Sequence, residues 1–290
     1  MRGPYDRAVA RALEISDLIV RFDSATLEQL PVSKGEVVAA LVSAGDPGAA
    51  RIVRRLPERE GRLDQDFVKH LLVQVHCEIQ RLSEEFQHGQ RMRALLASLL
   101  ASLRGSHPGP IRVVDIGCGT GYVLRWLARF GSLGPDVELV GVDFNRDLIE
   151  EAAHLAAEEG LDVRFEHGDA LRRKDGADIY ISTGVLHHFE PEHLVEFFER
   201  QRDAKAIVHF DFRPSRLAWL GAWIFHELRM RHPLSRHDGV VSAIRAYSTE
   251  TLIQAARKGL PAFDVSVRGD RSLAAFHILV ALRSGQESRC

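Results

Sequence analysis

The run Val113-Val114-Asp115-Ile116-Gly117-Cys118-Gly119-Thr120-Gly121 constrains this chain more than any other stretch. A β-branched run enters three glycines at alternating positions, and an apolar pattern of helical spacing leaves them from Tyr122 to Phe130. That reads as strand, tight turn and helix. Glycine has no Cβ and tolerates positive φ, so such a turn lets a ligand lie close against the backbone. The amides that open the following helix then face the ligand with partial positive charge.

Around the turn, short apolar runs alternate with helical patterns, the signature of a parallel α/β sheet. Strands are expected at 111–116, 138–142, 163–166, 177–182 and 206–212, with helices at 122–130, 146–159 and 191–202 between them. Two final strands, 263–268 and 276–282, read as a hairpin after a helix at 249–258. Residues 217–231 form a helix with an aromatic-rich apolar face, and residues 235–247 read as polar and irregular.

Upstream, the pattern is helical throughout. Asp46-Pro47-Gly48 reads as a turn, and Asp64 caps a long helix whose apolar face runs through Phe67, Leu71, Val75 and Ile79. Gly89 is the candidate for a break or bend in it. The composition of Gly105–Pro110 marks a linker, so the expected domains are an all-α segment over 1–104 and an α/β domain over 105–290, with 213–248 inserted in the latter. The helical segment is expected to serve as lid, packing appendage or homodimer surface.

With 290 residues, 45% hydrophobic and 27% charged, the chain can bury a substantial core. A net charge of −2 supplies no global basic field, so neither nucleic acid nor a membrane is an expected partner. Cys77, Cys118 and Cys290 have no metal-ligand spacing, and no metal is expected; a reducing, cytoplasmic setting fits them. The start lacks the signature of a signal peptide. The most apolar stretch, 217–228, contains His226 and Glu227 and is too short to span a bilayer.

The acids sharpen the glycine turn. Asp115 precedes it, Asp143 ends the second strand, and Asp169 follows the third. In an open α/β sheet, ligands bind outside the carboxyl ends of the strands, so all three acids point at one crevice. A carboxylate at the end of the second strand can accept both hydrogen bonds of a ribose diol, and a side chain after the third can reach an adenine amine. The glycines run G-x-G-x-G rather than G-x-G-x-x-G, and no Gly-Lys-Ser/Thr follows.

This arrangement resembles the class I S-adenosylmethionine-dependent methyltransferases. Asp115 to Gly121, Gly141-Val142-Asp143, Gly168-Asp169-Ala170 and Val185-Leu186-His187-His188-Phe189 carry the resemblance, over roughly residues 111–212. It implies a Rossmann-like, seven-stranded α/β sheet, mostly parallel with an antiparallel last strand, and S-adenosyl-L-methionine as cofactor. Asp115, Gly117, Cys118, Gly119 and Gly121 would hold its methionine part, and Asp143 with Phe144 its ribose side. Asp169 and Ala170 would meet the adenine, and Thr183 and Gly184 would line the sulfonium.

Methyl transfer needs alignment of nucleophile and methyl group, and a base only where the nucleophile arrives protonated. His187, then His188, are the candidate bases. No Asn/Asp-Pro-Pro-aromatic tetrad follows the fourth strand; Ser182-Thr183-Gly184-Val185 stands there. A small, apolar or aromatic acceptor is therefore expected, with oxygen the favoured nucleophile. Trp219 and Trp223 are candidate walls of its pocket, with Arg236, His237 and Arg245 as orienting groups; core packing of the tryptophans and a local salt-bridged turn at 236–238 are the competing readings. Arg236-His237-Asp238-Gly239 is similar to stretches in bacterial small-molecule methyltransferases. A non-catalytic subunit of the same fold, assembling through its helical N-terminus, is the alternative function.

Overall fold

A computed structural model describes residues 12–105, 109–169, 172, 176–215, 218–269 and 276–284. The chain divides into two compact units, each built from two segments: residues 1–81 with 214–246, and residues 82–213 with 247–290.

The second unit holds a seven-stranded sheet. Its strands are β1 (Ile111–Ile116), β2 (Val137–Asp143), β3 (Arg164–His167), β4 (Ile179–Thr183), β5 (Ala206–Phe212), β6 (Phe263–Gly269) and β7 (Phe276–Arg283), in the spatial order β3-β2-β1-β4-β5-β7-β6. Five strands pair in parallel, and β7 runs antiparallel to both neighbours. The expected sheet, with one antiparallel strand and a terminal hairpin, is thus present. Its central strands β1, β2, β4 and β5 are largely apolar because both faces are covered. Val114, Val140, Tyr180 and Ile207 enter the core on one face, and their neighbours Val113, Leu139, Ile179 and Val208 enter the core on the other. The strand order reverses between β1 and β4, which opens a crevice at their carboxyl ends.

The His88–Arg104 helix belongs to this unit, where Met92, Leu96, Leu100 and Leu103 join the core against β1. The boundary therefore falls earlier than the expected residue 104. The long Gln65–Glu85 helix ends at Phe86-Gln87, two residues before Gly89; Gln87 takes a left-handed φ of 55°. Gly89 lies in the next helix, packed against the face of Trp126.

The first unit is mainly helical, with a core of Ile15, Ile19, Leu41, Ala49, Val53, Leu71 and Leu234. It is not all-α: Glu58–Arg59 and Arg62–Leu63 form a short antiparallel hairpin. Asp46-Pro47-Gly48 opens a helix, Pro47–Arg54, because the Asp46 carboxylate accepts the Ala49 amide at 2.8 Å and proline suits the first helical position. Asp64 caps the long helix as its position implied, accepting the Phe67 amide.

Residues 235–247, expected to be irregular, lie mostly in a 13-residue α-helix, Pro233–Arg245. Its buried face mixes apolar Leu234, Val241 and Ala243 with polar Ser235, Asp238, Ser242 and Arg245. Asp238 accepts the Ile15 and Ser16 amides at 2.8 Å each, capping a helix whose own Glu14 makes no side-chain cap. Ser242 donates to Glu14, and Arg245 pairs with Asp17 at 2.7 Å. These bonds join the insertion to the N-terminal segment in one unit. Among the described residues no helix is long and apolar enough to cross a membrane.

Candidate active site

The glycine turn sits at the carboxyl end of β1. Gly117, Gly119 and Gly121 have φ of 67°, 54° and 73°, values that strain any residue with a Cβ. A Cβ on Gly117 would also lie 2.7 Å from a methyl of Val185, just beyond β4. The turn is fastened to β2: the Gly117 amide donates to the Val142 carbonyl at 2.8 Å, and the Gly119 amide to Asp143 Oδ2 at 3.0 Å. Asp143 Oδ1 accepts the Asn145 amide at 2.9 Å. Asp143 thereby fixes the turn.

Asp115 is buried behind the turn. Burial, reinforced by the charge of Asp143, pushes its carboxyl up to about 8. The same environment pushes the Cys118 thiol well above its usual range, burial first and the two acids after it. Cys118 is therefore a packing residue of the turn and not a thiolate nucleophile.

Phe144 is exposed next to Asp143, and its carbonyl accepts a hydrogen bond from His167 Nε2 at 2.9 Å. Asp169 is partly buried and lies 3.6 Å from Arg172; Ala170 lies outside the described residues. At the end of β4 the Thr183 hydroxyl is buried without a hydrogen-bond partner, and Gly184 turns the chain with φ of 69°. A backbone cradle without Cβ atoms, an acid beside it and an orphaned hydroxyl at the next strand end fit a cofactor bearing a cation and a ribose diol.

Two histidines follow in a 3-10 turn, Leu186–His188. His187 is buried and His188 exposed, with ring centroids 4.3 Å apart. Asp211, near the end of β5, accepts from His187 Nδ1 at 2.7 Å, from the His187 amide at 3.0 Å and from the Phe212 amide at 2.6 Å. Burial raises the Asp211 carboxyl, but the His187 charge and these hydrogen bonds outweigh it and hold the group below the usual carboxylate range. An ionised Asp211 can only accept, so His187 donates to it through Nδ1. This partnership escaped the sequence reading. Its one signal is that Asp211 stands near the carboxyl end of β5 as Asp143 does at β2.

His209, one strand-residue pair away, is different. Its Nδ1 lies 2.7 Å from the Ser182 hydroxyl and its Nε2 2.9 Å from Gln201 Oε1, and all three residues are buried. Gln201 spends its amide on the Phe197 carbonyl, so its oxygen takes the Nε2 proton and Ser182 donates to Nδ1. Burial pushes His209 down to about 3. The triad is a neutral core network.

Beside His187 an aromatic cluster extends along the sheet edge. Phe212 meets His187 edge-on at 5.3 Å and stacks on Phe276 at 5.1 Å, and Phe86 meets Phe276 at 5.0 Å. Arg91 holds the Phe86 carbonyl at 2.7 Å, fixing the bend at Gln87.

The remaining candidates lie in the other unit. Trp219 and Trp223 are exposed, not core. Arg236 pairs with Glu227 at 3.0 Å and donates to the Met230 carbonyl. Both nitrogens of His237 are engaged, Nδ1 with Asp238 at 2.7 Å and Nε2 with Asp46 at 2.8 Å. Burial lowers the proton affinity of His237, but the two acids prevail and raise it. The structure thus commits Arg236, His237 and Arg245 to packing of their own unit, in a helix rather than the salt-bridged turn.

Residues 113–204 match a family model described as a methyltransferase domain. The ribosomal RNA small subunit methyltransferase C of Alcanivorax borkumensis is 29% identical over 138 residues, 47% of this chain and 40% of that protein. The ubiquinone biosynthesis O-methyltransferase of Maricaulis maris is 34% identical over 87 residues, 29% of this chain and 32% of that protein. The chain thus spans well under half the length of these curated relatives. The plantazolicin methyltransferase BamL, solved with a triazolic desmethylPZN analogue and S-adenosylhomocysteine, superimposes with a TM-score of 0.52 at 14% identity, covering 74% of this chain and 96% of that one. Residues 113–204 are thus similar to a methyltransferase domain, and the sheet they build shares the fold of the plantazolicin methyltransferase, with a glycine turn and acids that fit a cofactor bearing a cation and a ribose diol.

Proposed function

We propose that this protein transfers a methyl group from S-adenosylmethionine to a hydroxyl of a small apolar or aromatic acceptor, with His187 as general base. The observation that carries this reading is the buried His187–Asp211 pair, one turn beyond the residue, Val185, that touches the glycine cradle. A pair of this kind suits a nucleophile that must lose a proton. The cluster of Phe86, Phe212 and Phe276 beside it supplies an apolar, aromatic wall for an acceptor. The relative named for O-methylation in ubiquinone biosynthesis agrees with this acceptor class.

When bound, the cofactor supplies a methyl carbon already activated by its sulfonium. Gly117, Gly119 and Gly121, lacking a Cβ, would let its methionine part lie against the backbone, Asp143 would hold its ribose hydroxyls, and Thr183 would offer its hydroxyl near the reacting end. His187 Nε2 would take the acceptor's hydroxyl proton as oxygen attacks carbon, and Asp211 would stabilise the imidazolium formed.

Calorimetry with S-adenosylhomocysteine and a methylation assay on a panel of phenols and aliphatic alcohols test the reading together. Binding that Asp143→Ala abolishes is expected. His187→Gln is expected to lower kcat about a hundredfold with cofactor affinity kept. Absence of product and cofactor binding would refute the enzyme. Turnover that survives both substitutions, measured in a stable complex with another chain, would favour a partner subunit.

A further inference from the structure

The Arg236-His237-Asp238-Gly239 stretch reads from sequence as a turn or as a set of acceptor-orienting groups, and the structure places it inside the 233–245 helix. There His237 reaches a segment 191 positions away. Its Nδ1 lies 2.7 Å from Asp238 Oδ1 and its Nε2 2.8 Å from Asp46 Oδ2, and its side chain is only 14% exposed. Asp46 opens the 47–54 helix by accepting the Ala49 amide, and Asp238 caps the 15–19 helix through the Ile15 and Ser16 amides. One ring therefore bridges the acids that start two other helices.

A carboxylate only accepts, so an imidazole with a carboxylate at each nitrogen satisfies both only as the imidazolium. A neutral ring would set one lone pair against a carboxylate oxygen. Asp46 is the side that gives way. Its side chain is 40% exposed, so water can replace the ring, whereas that of Asp238 is 9% exposed and holds two amides. The other charges around the ring have partners or face water. On its own helix, Arg236 pairs with Glu227 of the 218–229 helix at 3.0 Å, Arg245 pairs with Asp17 at 2.7 Å, and His232 accepts the Leu234 amide. Glu14, just before the 15–19 helix, accepts the Ser242 hydroxyl. His226 of the 218–229 helix lies under Gly239, and burial holds it neutral. Arg51 and Arg54 of the 47–54 helix are exposed.

We propose that His237 is a proton-operated clasp: as an imidazolium it ties the 47–54 helix to the 233–245 helix, and as a neutral ring it keeps Asp238 and releases Asp46. Burial lowers the proton affinity of the ring, but Asp238 and Asp46 outweigh it and raise the group above its ordinary value of 6.5. The stability that the clasp contributes is then complete below about pH 6.5 and is lost as pH rises through the higher folded value. The inference stands apart from methyl transfer, since every group in it belongs to the unit formed by residues 1–81 and 214–246.

Two measurements on the full-length protein between about pH 5 and 10 test it: histidine ring resonances by NMR, with His237→Gln assigning the His237 signal, and amide hydrogen exchange read by peptide. The His237 ring should titrate above about 6.5. Through the same midpoint, protection of the 46–54 peptide should fall about tenfold or more after correction for the intrinsic pH dependence of exchange, while that of the 191–199 helix holds. In Asp46→Asn, asparagine still caps the Ala49 amide and its own amide can donate to a neutral ring, so the midpoint should move down by about one pH unit or more. In His237→Gln, protection of the 46–54 peptide should no longer change with pH. A ring that titrates at or below about 6.5, or that is still protonated at pH 10, would overturn the proposal. So would constant protection through the titration, an unmoved midpoint in Asp46→Asn, or the parent's pH dependence in His237→Gln.

Discussion

An Asp211→Asn substitution would keep the shape of the pair with His187 and remove the charge that fixes its tautomer. Asparagine can present its amide to the imidazole, which would turn the Nδ1 lone pair inward and put the proton on Nε2, where a base needs a lone pair. Turnover of a hydroxyl acceptor should fall about a hundredfold, with S-adenosylhomocysteine affinity within a few fold of the parent. Steady-state kinetics with calorimetry separates the two quantities, and unchanged kcat would remove His187 from the chemistry. Asp115 makes a second residue-scale prediction. Its folded carboxyl titrates near 8, above the unfolded value, so its contribution to stability is complete below about pH 4 and is lost as pH rises through 8. Asp115→Asn has no proton to lose. The variant should therefore gain in melting temperature relative to the parent between pH 5 and 9. A constant difference across that range would show that Asp115 is ionised in the folded protein.

The elements show where sequence reading works and where it stops. Strands of the sheet were legible because both faces are buried and the runs of Val, Ile and Leu need no partner to be recognised. The cofactor-side residues were legible because glycine spacing and acids at strand ends are local signals. The 233–245 helix was not, because four of its seven buried residues, Ser235, Asp238, Ser242 and Arg245, are polar and break the apolar periodicity that Leu234 and Val241 would otherwise carry. Asp211 was missed for a related reason: its partner lies 24 residues away, and only the pairing of β4 with β5 brings them together. The polar helix makes its own prediction. Asp238→Ala would leave two amides at the start of the 15–19 helix uncapped and one neighbour of cationic His237 missing, costing about 2–4 kcal/mol in urea unfolding. Gly239→Ala would drive a methyl into the His226 ring and cost about 1–3 kcal/mol. Variants as stable as the parent would mean that the two helices of the insertion are loosely held.

At the scale of the whole molecule, two buried histidines set the acid limit. His209 is pushed down to about 3 and His226 to about 4, in each case by burial. Both folded values lie below the unfolded one, so the stability they contribute is present above about pH 6.5 and is lost as pH falls toward those values. Urea unfolding between pH 7 and 4 should show a steepening loss, which His209→Gln would reduce below pH 6; a flat profile would argue that neither ring is buried neutral. S-adenosylhomocysteine at about 100 times its Kd should raise the transition containing the sheet by roughly 5–10 °C. A last consequence concerns time. The bond from the Ile15 amide to Asp238 closes over 223 positions of chain. On a ribosome adding about 5–20 residues per second, the N-terminal helices wait roughly 10–45 s for the helix that caps and completes them. During that interval Ile15, Ile19 and Leu41 lack Leu234 as a core neighbour, and Glu14 and Asp17 lack Arg245. The N-terminal segment up to Arg81 is thus the part that a nascent-chain chaperone would meet unfinished, although it is made first.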